Sequence, residues 1–386
     1  LESGGKLDRH RVDSFGIQFS NIEGLYGSKS FVRGGFIEID VVHGYTSVPE
    51  AYTGLAFRST GGNSPAKTVG SQHTVRRFHV GGAMQKPSLV VLAAGMGSRY
   101  GGVKQIDPVG VGDEAIIDFS VYDAITVGFD HVIFVIRREI EDDVREFFAG
   151  TFESKIRVSY VFQDLDDIPE GYQVPADRAK PWGTAHAMLA ARHVVDSPYA
   201  VINADDFYGR PALSTMARYL SAIDPDSTDY AMVGYRLDRT LSPHGTVSRG
   251  IVKTDNDGWL VSIEEHTKLR PQGDEVLSLN DDSSVRARFS GTEATSMNLF
   301  GFTPRAMEQF SEEFADFLSV SGDDTKAEFY IPYAMNRLKE QNRARMTVLR
   351  SDSEWFGVTY RDDRPAVVSR LRDLVEDGIY PPSLWG

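Results

Sequence analysis

Two short stretches of this 386-residue chain carry most of its chemical potential. The first is Leu92-Ala-Ala-Gly-Met-Gly-Ser-Arg-Tyr-Gly-Gly-Val-Lys-Gln105. Glycines at 95 and 97 let the backbone approach a ligand closely and take positive φ. Successive N–H groups in such a turn form an anion nest. Arg99 and Lys104 add two cations, so the loop has the makings of a phosphate cradle that takes charge developing on a phosphoryl oxygen. It is neither a Walker A loop nor Gly-x-Gly-x-x-Gly, since Tyr stands at position 100. The second stretch is Val201-Ile-Asn-Ala-Asp-Asp-Phe-Tyr-Gly209, where an apolar run ends in Asp205 and Asp206. Adjacent carboxylates repel unless something positive lies between them and a ligand. A hard cation such as Mg²⁺, which takes one or two carboxylates plus substrate phosphates, meets that need. A helix cap or turn pair is the structural alternative.

The elements that must hold these stretches follow from periodicity. Ser88 to Ala93 is a continuous apolar run of the kind buried on both faces, His131 to Ile136 is a second buried strand, and Arg157 to Phe162 and Tyr199 to Asn203 are a third and a fourth strand. Helical spacing covers Ile117 to Val127, Glu139 to Phe148, Thr184 to Val194 and Ala212 to Ile223. Tyr230 to Tyr235 is a further strand. Alternating strands and helices predict an α/β fold with a doubly wound, mainly parallel sheet. Both chemical stretches follow strands, and such sheets bind ligands beyond the carboxyl ends of their strands. The second half is less regular. Gly250 to Lys253 and Trp259 to Ile263 flank Asp255-Asn-Asp-Gly258, a hairpin signal. Ser296 to Phe302 and Arg345 to Leu349 read as strands. Pro304 to Leu318, Glu328 to Gln341 and Pro365 to Glu376 read as helices.

Residues 1 to 83 have a different character. They are rich in Gly and Ser, contain no Met, and carry nine Lys/Arg against seven acids, whereas the whole chain has a net charge of −14. The expectation is that Met84 is the natural start. Residues 1–83 would then be a disordered extension or upstream read-through, and residues 84–386 the catalytic domain. A small accessory β domain is the rival reading. The acidic balance argues against nucleic-acid binding. The chain has no cysteine, which fits a reducing cytoplasm and excludes thiolate metal sites. No apolar run reaches the roughly 18 residues of a membrane span.

Leu-Ala-Ala-Gly-x-Gly-Ser-Arg followed by Lys-Gln resembles the signature loop of the sugar-phosphate nucleotidylyltransferases. The short Arg-to-Lys spacing and the Lys-Gln pair are also similar to cytidylyltransferases of isoprenoid synthesis and to molybdopterin guanylyltransferases. Pro181-Trp-Gly-Thr-Ala-His-Ala187 resembles the family's nucleobase-contacting segment, and Val201 to Gly209 its metal-binding strand end. Beyond about residue 240 the resemblance is faint. It implies a nucleotide-diphospho-sugar transferase fold, Rossmann-like, with an irregular acceptor-binding second half. It implies nucleotide contacts from Ala93, Ala94, Gly95, Met96, Gly97, Ser98, Gly183, Thr184 and Asp206. Arg99 would stabilise leaving pyrophosphate, Lys104 the α-phosphoryl oxygens, and Asp205 would hold Mg²⁺. Thr184 has ordinary helix capping as its alternative role. A Glu-Lys pair that holds the sugar in relatives is not matched as such; Glu265 and Lys268 are the candidates, with Asn298 on the strand that lines the sugar pocket. Relatives carry a second metal ligand in a Trp-x-Asp-x-Gly-Thr-like stretch. The corresponding Glu354 to Asp363 has Gly357 where that Asp is expected, leaving Asp362 as the candidate or as a helix cap.

The expected reaction joins an NTP, with UTP favoured, to a phosphorylated acceptor, a sugar 1-phosphate first of all. It releases pyrophosphate. Cytidylyl transfer to a non-sugar phosphate or phosphonate, a nucleotide-sugar glycosyltransferase and a catalytically silent nucleotide-binding regulator are the alternatives. The absence of a Ser/His/Asp or Cys/His constellation fits phosphate chemistry, in which the nucleophile is already ionised. Neither the base nor the oligomeric state can be read from these residues.

Overall fold

The computed structural model describes residues 85–94, 109–112, 114–242, 244–357 and 363–386, together with the backbone of three earlier strands. The chain divides into two compact units, Leu1–Ala83 and Met84–Gly386. In the first unit, β1 (Ser30–Arg33), β2 (Phe36–Val41) and β3 (Thr74–His79) form an antiparallel sheet in the order β1-β2-β3.

The second unit begins with β4 (Ser88–Leu92), α1 (Ile116–Val127), β5 (His131–Ile136), α2 (Glu141–Phe148) and β6 (Arg157–Phe162). Then come α3 (Thr184–Leu189), β7 (Tyr199–Asn203), the two-residue β8 (Asp206–Phe207), α4 (Arg210–Ala222) and β9 (Asp229–Arg236). β4 pairs in parallel with β5 on one side and β7 on the other, and β5 pairs in parallel with β6. This is the expected parallel core. Successive residues on a strand face opposite sides, and both sides are filled. Leu89, Val91, Phe134 and Ile202 pack on one face with Val121, Val144 and Leu213 from α1, α2 and α4. Val90, Ile133, Val135 and Val201 pack on the other with Trp182 and Met188.

The second half extends this sheet in the antiparallel sense. β10 (Val247–Thr254), β11 (Leu260–Gln272), β12 (Glu275–Leu279), β13 (Val285–Phe289) and β14 (Ala294–Phe302) give the order β13-β12-β11-β10-β14-β7-β4-β5-β6. α5 (Arg305–Ser321) and α6 (Ile331–Glu340) follow, packing Phe310, Phe314 and Leu338 onto the second face. β15 (Arg345–Ser351) runs parallel to β9, and β9 also pairs with β14. Last come β16 (Phe356–Gly357), which pairs with β8, and α7 (Arg364–Glu376).

Three departures from the periodicity have physical causes. The helix expected to reach Val194 ends at Leu189, because Ala190 N donates to both His186 O and Ala187 O and the chain continues in i→i+3 turns. The helix expected from Glu328 begins at Ile331, since Phe329 spends its backbone on Trp182 O and Ala185 N. β12 and β13 have no counterpart in the periodicity. They are five residues each, and Val285-Arg-Ala-Arg-Phe289 lies largely in solvent, so no core pattern marks it.

Candidate functional site

β7 sits at the centre of the sheet, between β4 and β14. Its carboxyl end delivers Asn203, Ala204, Asp205 and Asp206 to one edge. Asp205 is exposed, whereas Asp206 turns into the fold as the first residue of β8. Asn203 Nδ2 donates to Asp206 Oδ2 at 2.8 Å, and the Tyr208 hydroxyl donates to the same oxygen at 3.3 Å. Tyr208 is itself held: its hydroxyl accepts from Asn203 N at 3.0 Å, and its carbonyl accepts from the buried Tyr235 hydroxyl at 3.0 Å. Burial, and then the Asp205 charge beside it, push the Asp206 carboxyl well above the usual carboxylate range. Arg249 and the Asn203 and Tyr208 bonds oppose that only in part.

β16 closes over the acid pair. Gly357 pairs with Asp206, and Phe356 stacks on Phe207 with ring centroids 4.3 Å apart. A Cβ on Gly357 would lie 2.7 Å from Asp206 Oδ1 and 3.1 Å from Asp205 O. The glycine is therefore a requirement of the close approach, and the segment corresponding to the second metal-ligand stretch does reach the strand-end acids. Trp355 is buried beside it, its Nε1 without a hydrogen-bond partner among the described residues and its Cζ2 edge towards Gly357. The Arg249 guanidinium lies 4.8 Å from the Trp355 ring centre and donates to Thr240 O.

On the next strands the acceptor candidates come together in part. Gly250 of β10 faces Glu265 on β11 and Ser296 on β14. Gly250 has no room for a side chain: a Cβ there would stand 2.7 Å from Ile263, with Glu265 Oε2 at 3.6 Å and Ser296 Cβ at 3.7 Å. The Ser296 hydroxyl is buried and has no partner among the described residues. Asn298 lies two residues further along β14, in a bulge, with φ of 61°. Such left-handed non-glycine residues are uncommon, and bulges re-aim side chains next to sites. Since Phe300 pairs with Val201, Asn298 falls beside the carboxyl end of β7. Desolvation raises the Glu265 carboxyl and Arg249 lowers it. Lys268 sits in a second bulge with φ of 52°, and its ammonium pairs with Asp281 at 2.9 Å, out on the β12–β13 arm.

Gly183 and Thr184 are strongly committed to packing. Gly183 has φ of 111°, and a Cβ would stand 2.6 Å from Phe329 O. The Thr184 hydroxyl accepts from Ile331 N at 3.2 Å. Arg178, His186 and Lys180 nearby are likewise engaged. Arg178 binds three carbonyls and covers Trp182, His186 bonds Asp167 O, and Lys180 pairs with Glu328. Ala93 and Ala94 are buried where β4 ends, and Ala93 N donates to Val135 O. Gly95, Met96, Gly97, Ser98, Arg99, Lys104 and Asp362 lie outside the described residues. Asn203, Tyr208, Arg249 and Trp355 also join the site; Asn203 carries a sequence signal as a polar residue ending an apolar strand, and Trp355 as the Trp of the Trp-x-Asp-like stretch.

The family model for nucleotidyl transferases matches residues 88–309, from β4 through the start of α5, so the chain belongs to the nucleotidyl transferase family and is an enzyme of that class. No curated protein matches the sequence. Among solved structures, the chain is similar to the inositol-1-phosphate CTP transferase from T. maritima, at 12% identity and a TM-score of 0.49 over 75% of this chain and 97% of that one. It is also similar to a UDP-glucose pyrophosphorylase complexed with UDP-glucose, at 15% identity and a TM-score of 0.47 over 75% and 99%.

Proposed function

We propose that this enzyme transfers a nucleotidyl group from an NTP to a phosphorylated small molecule, a sugar 1-phosphate by preference, releasing pyrophosphate. The observation that carries the reading is the Asp205–Asp206 pair at the carboxyl end of the central strand, beside the Asn298 bulge. The donor set suits a divalent cation. It offers hard oxygens, and the crowding that raises the Asp206 carboxyl would be relieved by a positive ion. An ion held there would rely on one or two carboxylates and on substrate phosphates. Asp205 would be the main ligand and Asp206 its oriented neighbour, and Mg²⁺ held there would neutralise charge on the phosphates.

The rest of the chemistry is positioning. Backbone N–H groups of Gly95 to Ser98 would hold the β- and γ-phosphates. Arg99 would take the charge of departing pyrophosphate and Lys104 that of the α-phosphoryl oxygens. The acceptor phosphate oxygen attacks the α-phosphorus in line, and being ionised it needs no general base. Gly183 and Thr184 would offer backbone groups to the base, since the Thr184 hydroxyl is already bonded. Glu265, the Ser296 hydroxyl and Asn298 would meet hydroxyls of the acceptor. A place for Lys268 in that set requires it to leave Asp281, and Asp362 as a second metal ligand rests on sequence alone. UTP is the favoured donor, and the setting is cytoplasmic.

The test is pyrophosphate release from the purified chain given each NTP, Mg²⁺ and a panel of phosphorylated acceptors. Release that needs both one NTP and a sugar 1-phosphate is expected. Release only with non-sugar phosphates would move the acceptor class, and no release from any pair would remove the reading.

A further inference from the structure

The strand-end acids are fastened from behind by the last residues of the chain. The segment from Asp206 to Arg210 is tied at almost every position. The Ser120 hydroxyl of α1 lies 3.4 Å from Asp206 O. The Phe207 ring is enclosed by Phe356, Phe119 at 6.3 Å and Tyr380 at 6.2 Å. Arg210 donates to Asp123 Oδ1 at 2.7 Å and to Ile379 O at 3.1 Å. Asp123 of α1 is 1% exposed, and its other oxygen accepts the Tyr380 hydroxyl at 2.6 Å. One buried carboxylate thus couples the acid-bearing segment to the C-terminal tail. The tail continues along α1: Leu384 N donates to Glu114 Oε1 at 3.2 Å and Trp385 Nε1 to Asp118 Oδ1 at 3.0 Å.

Apolar residues would seal a helix to a tail at lower desolvation cost than three buried acids. What the acids add is direction, because each hydrogen bond fixes a distance as well as a contact. We infer that Tyr380 is a positioning residue: through Asp123 and Arg210, and through its ring against Phe207, it sets where the Asp205 and Asp206 carboxylates stand. This rests on the reading of those acids as the metal-holding pair.

The experiment compares the full chain with Tyr380→Phe, which deletes one hydroxyl and keeps the ring. Mn²⁺ binding is followed by electron paramagnetic resonance, kcat and KM by pyrophosphate release with the best NTP, and Tm by calorimetry. The expected result is a Mn²⁺ dissociation constant at least threefold higher and a kcat several-fold lower, with the NTP KM within twofold. Trp385→Phe, which loosens the same tail away from the Asp206–Arg210 segment, is expected to lower Tm and leave Mn²⁺ affinity alone. If Tyr380→Phe lowers Tm but leaves Mn²⁺ affinity and kcat at wild-type values, the inference is overturned and the tail serves stability only. Should Tyr380→Phe not fold, Asp123→Asn carries the same expectation and the same refuting result. An Asp205→Ala chain that binds Mn²⁺ as tightly as wild type would instead overturn the metal reading, and this inference with it.

Discussion

Gly357 and Asp206 are pressed together so closely that the smallest side chain matters. A methyl group at 357 would stand 2.7 Å from a carboxylate oxygen, so Gly357→Ala must shift β16 or the acid. Overpacking of this kind costs about 1–3 kcal/mol. Urea unfolding should show that loss, and turnover should fall with it; an unchanged kcat would mean that the Asp206 position is not critical. Asp205 is exposed. Asp205→Ala is therefore expected to keep its unfolding midpoint while pyrophosphate release drops by about 100-fold or more, the scale of losing one transition-state charge contact. Lys104→Ala should lower kcat more than it raises the NTP KM, as expected of a contact made mainly in the transition state; steady-state kinetics showing only a KM effect would reassign Lys104 to binding. At this scale the sequence was informative where chemistry is local. A Gly-x-Gly-Ser-Arg loop and an acid pair each sit within a few residues. Arg249 gave no such signal, because it reaches Asp206 from 43 positions away, through pairing that no short window contains.

α1 carries two buried acids, Asp118 and Asp123, whose protons the fold holds. Burial pushes Asp118 up to about 6, offset by bonds from Ala115 N and Trp385. It pushes Asp123 up to about 6 as well, offset by Tyr380 and Arg210. Both ordinarily titrate near 3.8, so the folded state holds these protons more tightly than the unfolded chain. Their contribution to stability is full below about pH 4 and is lost as pH rises through 6, roughly 3 kcal/mol apiece. Asp118→Asn should therefore show a flatter dependence of unfolding free energy on pH between 4 and 6 than wild type, whatever its absolute stability. An identical slope in urea titrations would contradict the assignment. The elements themselves were legible to the extent that burial wrote them. β4, β5 and β7 match their apolar runs almost to the residue, since a strand buried on both faces must be apolar throughout. The β12–β13 arm left no such trace, and the end of α3 is set by hydrogen bonds to other elements rather than by its own Ala-rich sequence.

On the scale of the molecule, the two units make different demands. The unit from Met84 to Gly386 contains every described core cluster and every candidate site residue. We propose that residues 1–83 take no part in the chemistry, and expect residues 84–386 alone to release pyrophosphate at the rate of the full chain; a loss of more than tenfold would give the first unit a role. No helix among the described residues is long and apolar enough to cross a membrane. The central claim is that a phosphate oxygen of the acceptor captures the α-phosphorus of an NTP at the edge of β7. Phosphorus NMR of the reaction reads that directly. With Mg²⁺, the preferred NTP and a sugar 1-phosphate, the spectrum should gain the paired doublets of an unsymmetrical diphosphate ester and the singlet of free pyrophosphate in equal amounts. Orthophosphate and NDP with no new diphosphate ester would contradict it.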